Sequence, residues 1–393
     1  MEETRKTPTP KRLKKPNILV RTLALLVTGA LVLGALALVA YRDTFNLDTL
    51  KRWLAYRDMA TSDTGEAVPF THAGGDKLSV AYLSSGIVTA STVGVHYYDL
   101  EGNSLADRVL PMENPVLSAS RTTAAAYDAG NQTLFAFRNG EEYFSLKLDG
   151  GADLLSVRPN DNGWLAVTAQ RSGYKGAVTV YNNRGGEVIQ ISLSSVFAVD
   201  AAISPGGRTV AVITMGQEKG SFFSRLLFYP VDREEPTAQV ELGSLTVLDL
   251  DFEDGLLWVL CEDRLLTVTP DGQTVQTFLI SPNYLKGCTL EGDGFALLLT
   301  GRYRSGSATQ ALVVDRDAQV VQSVALNSQI LDYAACGSYY ALLSGSRLAL
   351  YNQATEELYA TLDNTQAARR LDLAPNASAL LANDQQAWLF IPQ

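Results

Sequence analysis

VLDLDFEDGLLWVLCEDRLLTVTPDGQTVQTFL, residues 247–279, is a series of short apolar runs cut by polar turns. Val247–Phe252, Leu256–Cys261 and the hairpin that begins at Leu265 are each rich in Leu, Val, Trp or Phe. Glu253-Asp254-Gly255, Glu262-Asp263 and Pro270-Asp271-Gly272 break them. Apolar runs of strand length between Gly, Pro and Asp turns describe an antiparallel meander, and helical periodicity is absent.

The unit recurs on both sides. Hairpins of the same design, an apolar strand, a polar turn and a second strand, begin at Val95, Leu134, Val178, Leu226, Leu265, Ala311 and Leu348. Two further strand-like runs precede each. Inner runs begin near Leu78, Val116, Leu154, Ala198, Val247, Leu285, Ile330 and Arg370, a spacing of 38–49 residues. Four-stranded propeller blades repeat at about 40–50 residues. The eighth unit is short: Arg370–Leu373, Ala379–Ala382 and Ala387–Phe390 supply three strands and then the chain stops. Ala67-Val68-Pro69-Phe70 is the expected fourth, closing the ring from the N-terminal side. Pro69 suits an outermost strand, which can spare a donor. The expected fold is therefore an all-β propeller of eight four-stranded blades. A pair of β-sandwiches or a β-solenoid is the alternative; the even unit length and the truncated last repeat favour the propeller.

Thr22–Ala40 carries no charge and is dominated by Leu, Ala and Val. Roughly 20 such residues span a bilayer core as a helix. Arg5, Lys6, Lys11, Arg12, Lys14, Lys15 and Arg21 precede it, against Glu2 and Glu3, which by the positive-inside rule leaves the N-terminus in the cytoplasm and the remainder outside. Ala35-Leu36-Ala37 offers a small-x-small cleavage site, but the run exceeds a signal-peptide core, so an uncleaved anchor is expected. The expected organisation is a basic tail (1–21), a transmembrane helix (22–41), a juxtamembrane amphipathic helix and tether (42–66), and an extracytoplasmic propeller (67–393). In FNLDTLKRWLAYR (45–57), Asn46 or Asp48 can cap a helix that gathers Leu47, Leu50, Trp53 and Leu54 on one side.

The formal charge of −10 divides unevenly, with +5 in residues 1–21 and −15 in the rest. An acidic domain repels polyanions, so nucleic acid is excluded as an expected partner. Cys261, Cys288 and Cys336 cannot all pair within one chain, and no Cys/His spacing suggests a metal. His72 and His96 lack the convergent partners of a zinc site or a triad. Ser172-Gly173-Tyr174-Lys175 matches S-x-x-K without the companion motifs. Asp249–Gly255 resembles a calcium loop with its Gly one position late. No cofactor is expected.

One pattern carries a site. In blades three, four and six the connection between second and third strands is long: QRSGYKGA from Gln170, GQEKGSFFSR from Gly216 and GRYRSGSAT from Gly301. Equivalent connections emerge on one face of a propeller. They would gather Arg171, Tyr174, Lys175, Lys219, Phe222, Phe223, Arg225, Arg302, Tyr303 and Arg304 on one rim, and Tyr and Arg are favoured binding hot spots. Three ordinary solvated hairpins are the plain alternative.

AISPGGRTVAVIT (202–214) resembles the inner hairpin of WD-like and Tol-type propellers, with Gly206 where Asp is usual. The basic tail, single helix, NLDTLKRWLAYRD (46–58), SGYKGAVTVYN (172–182) and the SPGG hairpin together resemble a family of membrane-anchored β-propeller proteins of Gram-positive bacteria that carries a domain-of-unknown-function label. The resemblance implies topology and fold, and no catalytic residues. The expected role is a membrane-anchored, non-enzymatic binding or scaffold module for a protein, peptide or envelope glycan. An envelope hydrolase or lyase using channel carboxylates, and a sensor ectodomain with a separate signalling partner, are the alternatives.

Overall fold

The structure is a computed structural model that describes residues 22–23, 25–29, 32 and 47–392. The chain divides into two compact units, Met1–Ala55 and Tyr56–Gln393. The basic tail and most of the expected transmembrane stretch, residues 22–41, lie outside the described residues. Among the described residues no helix is long and apolar enough to cross a membrane. A helix covers Leu47–Tyr56 with Asp48 in its first turn, where a carboxylate favours the positive helix end. Leu50, Trp53 and Leu54 are exposed.

The second unit is an eight-bladed propeller. Its strands form eight antiparallel four-stranded sheets, and the first strand of every blade touches that of the next all the way round, including blade eight to blade one. The innermost strands are Ser79–Leu83, Pro115–Ala119, Leu154–Pro159, Phe197–Ile203, Val247–Glu253, Tyr284–Gly292, Ile330–Cys336 and Arg370–Leu373, for blades one to eight. Second strands such as Phe295–Gly301 are buried along their whole length, because both faces of each blade pack on neighbours; this is why they read as unbroken apolar runs. Outermost strands such as Thr274–Leu279 alternate toward exposure. The core lies between blades: Ala211, Ile213 and Phe228 of blade four meet Leu250, Leu257 and Val259 of blade five.

The closing strand is Phe70–Thr71, paired antiparallel with Gln386–Phe390 through Phe70↔Ala387 and Thr71↔Gln386. A separate bridge joins Glu66 to Phe390, and the Ala67 N–H donates to Leu389 O at 2.8 Å. Pairing lapses at Val68-Pro69, where Pro has no N–H to give. The ring is therefore closed by residues from both chain ends.

Antiparallel order fixes two faces. Connections from first to second and from third to fourth strands share the face we call lower. Connections from second to third strands, and those between blades, share the upper face. The closing strand runs from the lower face to the upper. Tyr56, whose hydroxyl lies 3.0 Å from that of Tyr82, also sits on the lower side.

Candidate functional site

The residues of the expected rim all fall in second-to-third-strand connections or, for Phe222, Phe223 and Arg225, in the strand beside one, hence toward the upper face. In blade three, Arg171 lies over the Tyr174 ring at 5.1 Å and donates to Ser192 Oγ at 2.6 Å and to Gln190. Lys175 lies 5.0 Å from the Phe197 ring of the next blade and donates to Ser195 O. Blade four differs from expectation. GQEKGSFFSR is not a loop but a continuation of the paired strands Thr209–Glu218 and Ser221–Pro230. Lys219 and Gly220, both at positive φ, make a two-residue hairpin turn of the kind whose twist matches its strands, so pairing runs to the tip. Phe222 points to solvent, 65% exposed. Phe223 instead stacks under Arg225 at 4.0 Å, and Glu241 neutralises Arg225 at 2.7 Å. In blade six Arg302, Tyr303 and Arg304 are exposed, Tyr303 by 74%. Blades three and four adjoin; blade five, whose equivalent turn carries Glu262 and Asp263, separates them from blade six. The two histidines do not converge: His72 Nε2 donates to Asn383 O at 2.9 Å and His96 Nδ1 faces Asp107 at 2.8 Å. All three cysteines are free thiols.

The inner strands of blades three to seven carry a second feature, which the sequence reading missed. Each is interrupted by a β-bulge at one equivalent position, between Leu154 and Ser156, Ala198 and Asp200, Val247 and Asp249, Leu285 and Gly287, and Ile330 and Asp332. The bulged residues are Leu155, Val199, Leu248, Lys286 and Leu331. Leu155, Leu248 and Leu331 are exposed at the upper ends of their strands. Bulges re-aim side chains, and here they coincide with exposed aliphatic groups at the upper ends of three inner strands. A sequence signal existed: Val199-Asp200, Leu248-Asp249 and Leu331-Asp332 recur at the bulge in three repeats, and Leu371-Asp372 stands at the same place in blade eight, where pairing is unbroken.

Aspartates at this place in the repeat tie blades together. Asp332 accepts the N–H of Leu371 in blade eight at 2.9 Å, and Asp372 that of Tyr82 in blade one at 2.6 Å. Arg158 of blade three binds Asp200 of blade four at 2.7 Å and Asp249 of blade five at 2.8 Å, and donates to Leu250 O at 2.9 Å.

Below them is a lumen of about 930 Å³, lined by Asp251, Glu253 and Glu291 besides Arg158, Asp249, Asp332 and Asp372. Burial, then the neighbouring Asp249, pushes Asp251 up to about 7. Burial likewise lifts Glu253 and Asp372 to about 7. Glu291, which lines the lumen, is raised well above the usual carboxylate range by burial and by Asp372, Asp251 and Asp249. Among the described residues no group of three or more His, Cys, Asp or Glu side chains is arranged to hold a metal ion.

Residues 65–365 match the model of a family of unknown function, DUF5711. The chain belongs to the DUF5711 family. No curated protein sequence matches this DUF5711 chain. Among solved structures it is similar to the C-terminal WD40 domain of Sif2 (12% identity, TM-score 0.59, 83% of this chain and 99% of that one). The computationally designed Ika8 protein is comparable (14%, 0.58, 81% and 97%), as is BamB from Moraxella catarrhalis (13%, 0.52, 83% and 99%). At such identities the likeness shows the propeller fold of this DUF5711 member and nothing of its ligand.

Proposed function

We propose that this DUF5711 chain is a membrane-anchored, extracytoplasmic binding or scaffold module that docks a protein or peptide on its upper face. The carrying observation is a set of exposed apolar side chains on the upper face. Phe197, Phe222, Leu248, Tyr284, Tyr303 and Leu331 are exposed on or next to upper-face connections. Among the described residues the first-to-second-strand connections expose no large apolar side chain. On the lower side Leu105, Val320 and Leu358 are exposed next to third-to-fourth-strand connections, and Val68 just before the closing strand, all away from the lumen mouth. Exposed apolar groups gathered on one face mark interaction sites, and the exposed Lys219, Arg302 and Arg304 around them favour a partner that pairs apolar side chains with carboxylates.

The test is capture of envelope proteins by the detergent-solubilised full chain, set against a Phe222→Ser/Arg302→Glu/Tyr303→Ser variant. A partner retained by the parent and lost by the variant is the expected result; equal retention removes the upper face from the proposal.

The lumen favours a second reading. Asp251 and Glu253, with pKa values pushed up to about 7, have the proton affinity a general acid or base needs near neutrality, which suits a hydrolase or lyase of envelope polymers. Turnover abolished by Asp251→Asn together with Glu253→Gln would establish it; absence of turnover on envelope polymers by the parent chain would dismiss it.

A further inference from the structure

Arg121 lies in the first-to-second-strand connection of blade two, and Asp293 in that of blade six. In a ring of eight, these blades face each other across the diameter. Their side chains nevertheless form an ion pair, which therefore crosses the lower end of the lumen. Both feet are braced. The Arg121 N–H donates to Asp161 Oδ1 at 2.9 Å and its carbonyl accepts from Ser84 at 3.0 Å, tying it to blades three and one. Asp293 donates its N–H to Gly337 O of blade seven at 2.8 Å, and the next residue, Gly294, donates to Glu253 of blade five at 2.8 Å. Every blade from one to three and from five to seven thus supports one foot or the other.

We propose that Arg121 and Asp293 form a latch that closes the lower mouth of the lumen, so that solutes reach the lumen from the upper face while the latch holds. The pair is half-exposed, at 40% and 48%, and half-exposed ion pairs are weak and yield to salt. The latch is accordingly one that a competing charge releases, and its release converts a chamber open at one end into a through-channel.

A native thiol reports on it. Cys336 is the last residue of the inner strand of blade seven, beside the lower mouth, and is buried; Cys261 is buried in the second strand of blade five, away from the lumen. The full chain in detergent is labelled with methyl methanethiosulfonate, a small uncharged reagent, and each cysteine is followed by peptide mass spectrometry. Arg121→Met keeps the aliphatic shaft and removes the charge; Asp293→Asn removes the opposite charge. Labelling of Cys336 is expected to rise about two- to fivefold in either variant, the factor an exposed ion pair is worth, with Cys261 unchanged. Salt at about 1 M, where the screening length falls to about 3 Å, should produce the same rise in the parent and none in Arg121→Met. An unchanged Cys336 rate in both variants overturns the latch. So does an equal rise at Cys261, which would mean general loosening of the ring. Should Arg121→Met fail to fold, the parent's salt response and Asp293→Asn decide between the same two outcomes.

Discussion

Asp332 and Asp372 show how single residues weld this ring. Each carboxylate accepts one N–H from its own strand and one from the next blade, so truncation leaves buried donors without partners. Asp332→Ala and Asp372→Ala should each cost about 1–3 kcal/mol, read as a lower denaturant midpoint in urea. A midpoint equal to the parent's would mean that the staples contribute nothing. At this scale the sequence was only partly legible. The cations and aromatics of the rim could be named from it, but not which charges remain available: Glu241 takes Arg225, while Ser192 and Gln190 take Arg171. A side chain's partners depend on strand register, and register is set by neighbours that sequence order does not reveal.

At the scale of elements, the closing strand was legible because it answered a deficit. Seven units had a fourth strand and the last did not, and an unpaired edge is a liability. Its detailed form was less so, since pairing lapses at Pro69. Phe70 packs on Tyr98 with ring centroids 5.1 Å apart and lies against Gly102, where an added Cβ would come within 2.2 Å of it at φ +87°. Gly102→Ala should therefore destabilise the seam by more than about 1 kcal/mol, through both the collision and the backbone conformation. The readout is the thermal midpoint, and an undiminished one would mean the closing strand is dispensable. The long hairpin of blade four was read as a loop because its polar, glycine-containing sequence resembles one. Continuous pairing through a two-residue turn made it strand instead.

For the whole molecule, the lumen sets the pH response. Asp251, Glu253 and Asp372 have folded pKa values near 7, above those of an unfolded chain, so the native state holds more protons between about pH 4 and 7. Stability then falls as pH rises through that window. Asp99, Asp107 and Asp263 are shifted the other way, held down on balance by side-chain hydrogen bonds from Asn103, Ser104 and Arg264; they contribute stability that is lost below about pH 4. The thermal midpoint should be higher near pH 5.5 than at pH 8, by calorimetry in buffers of equal ionic strength. A midpoint that climbs steadily from 5.5 to 8 would contradict the protonated lumen.

Repeat length, strand type, the number of blades and the missing strand all followed from local patterning. A strand between two blades must be apolar and a turn must be polar wherever it occurs along the chain. The lumen had no such local signature. Asp249, Asp251 and Glu253 resembled a turn with acidic flanks, and Arg121 is separated from Asp293 by 172 positions. Only closure of the ring turns these residues inward and brings opposite blades within reach. Carboxylates that would be ordinary on a surface are then crowded and partly dehydrated. Their charge, proton affinity and pairing across the axis are properties of the closed circle.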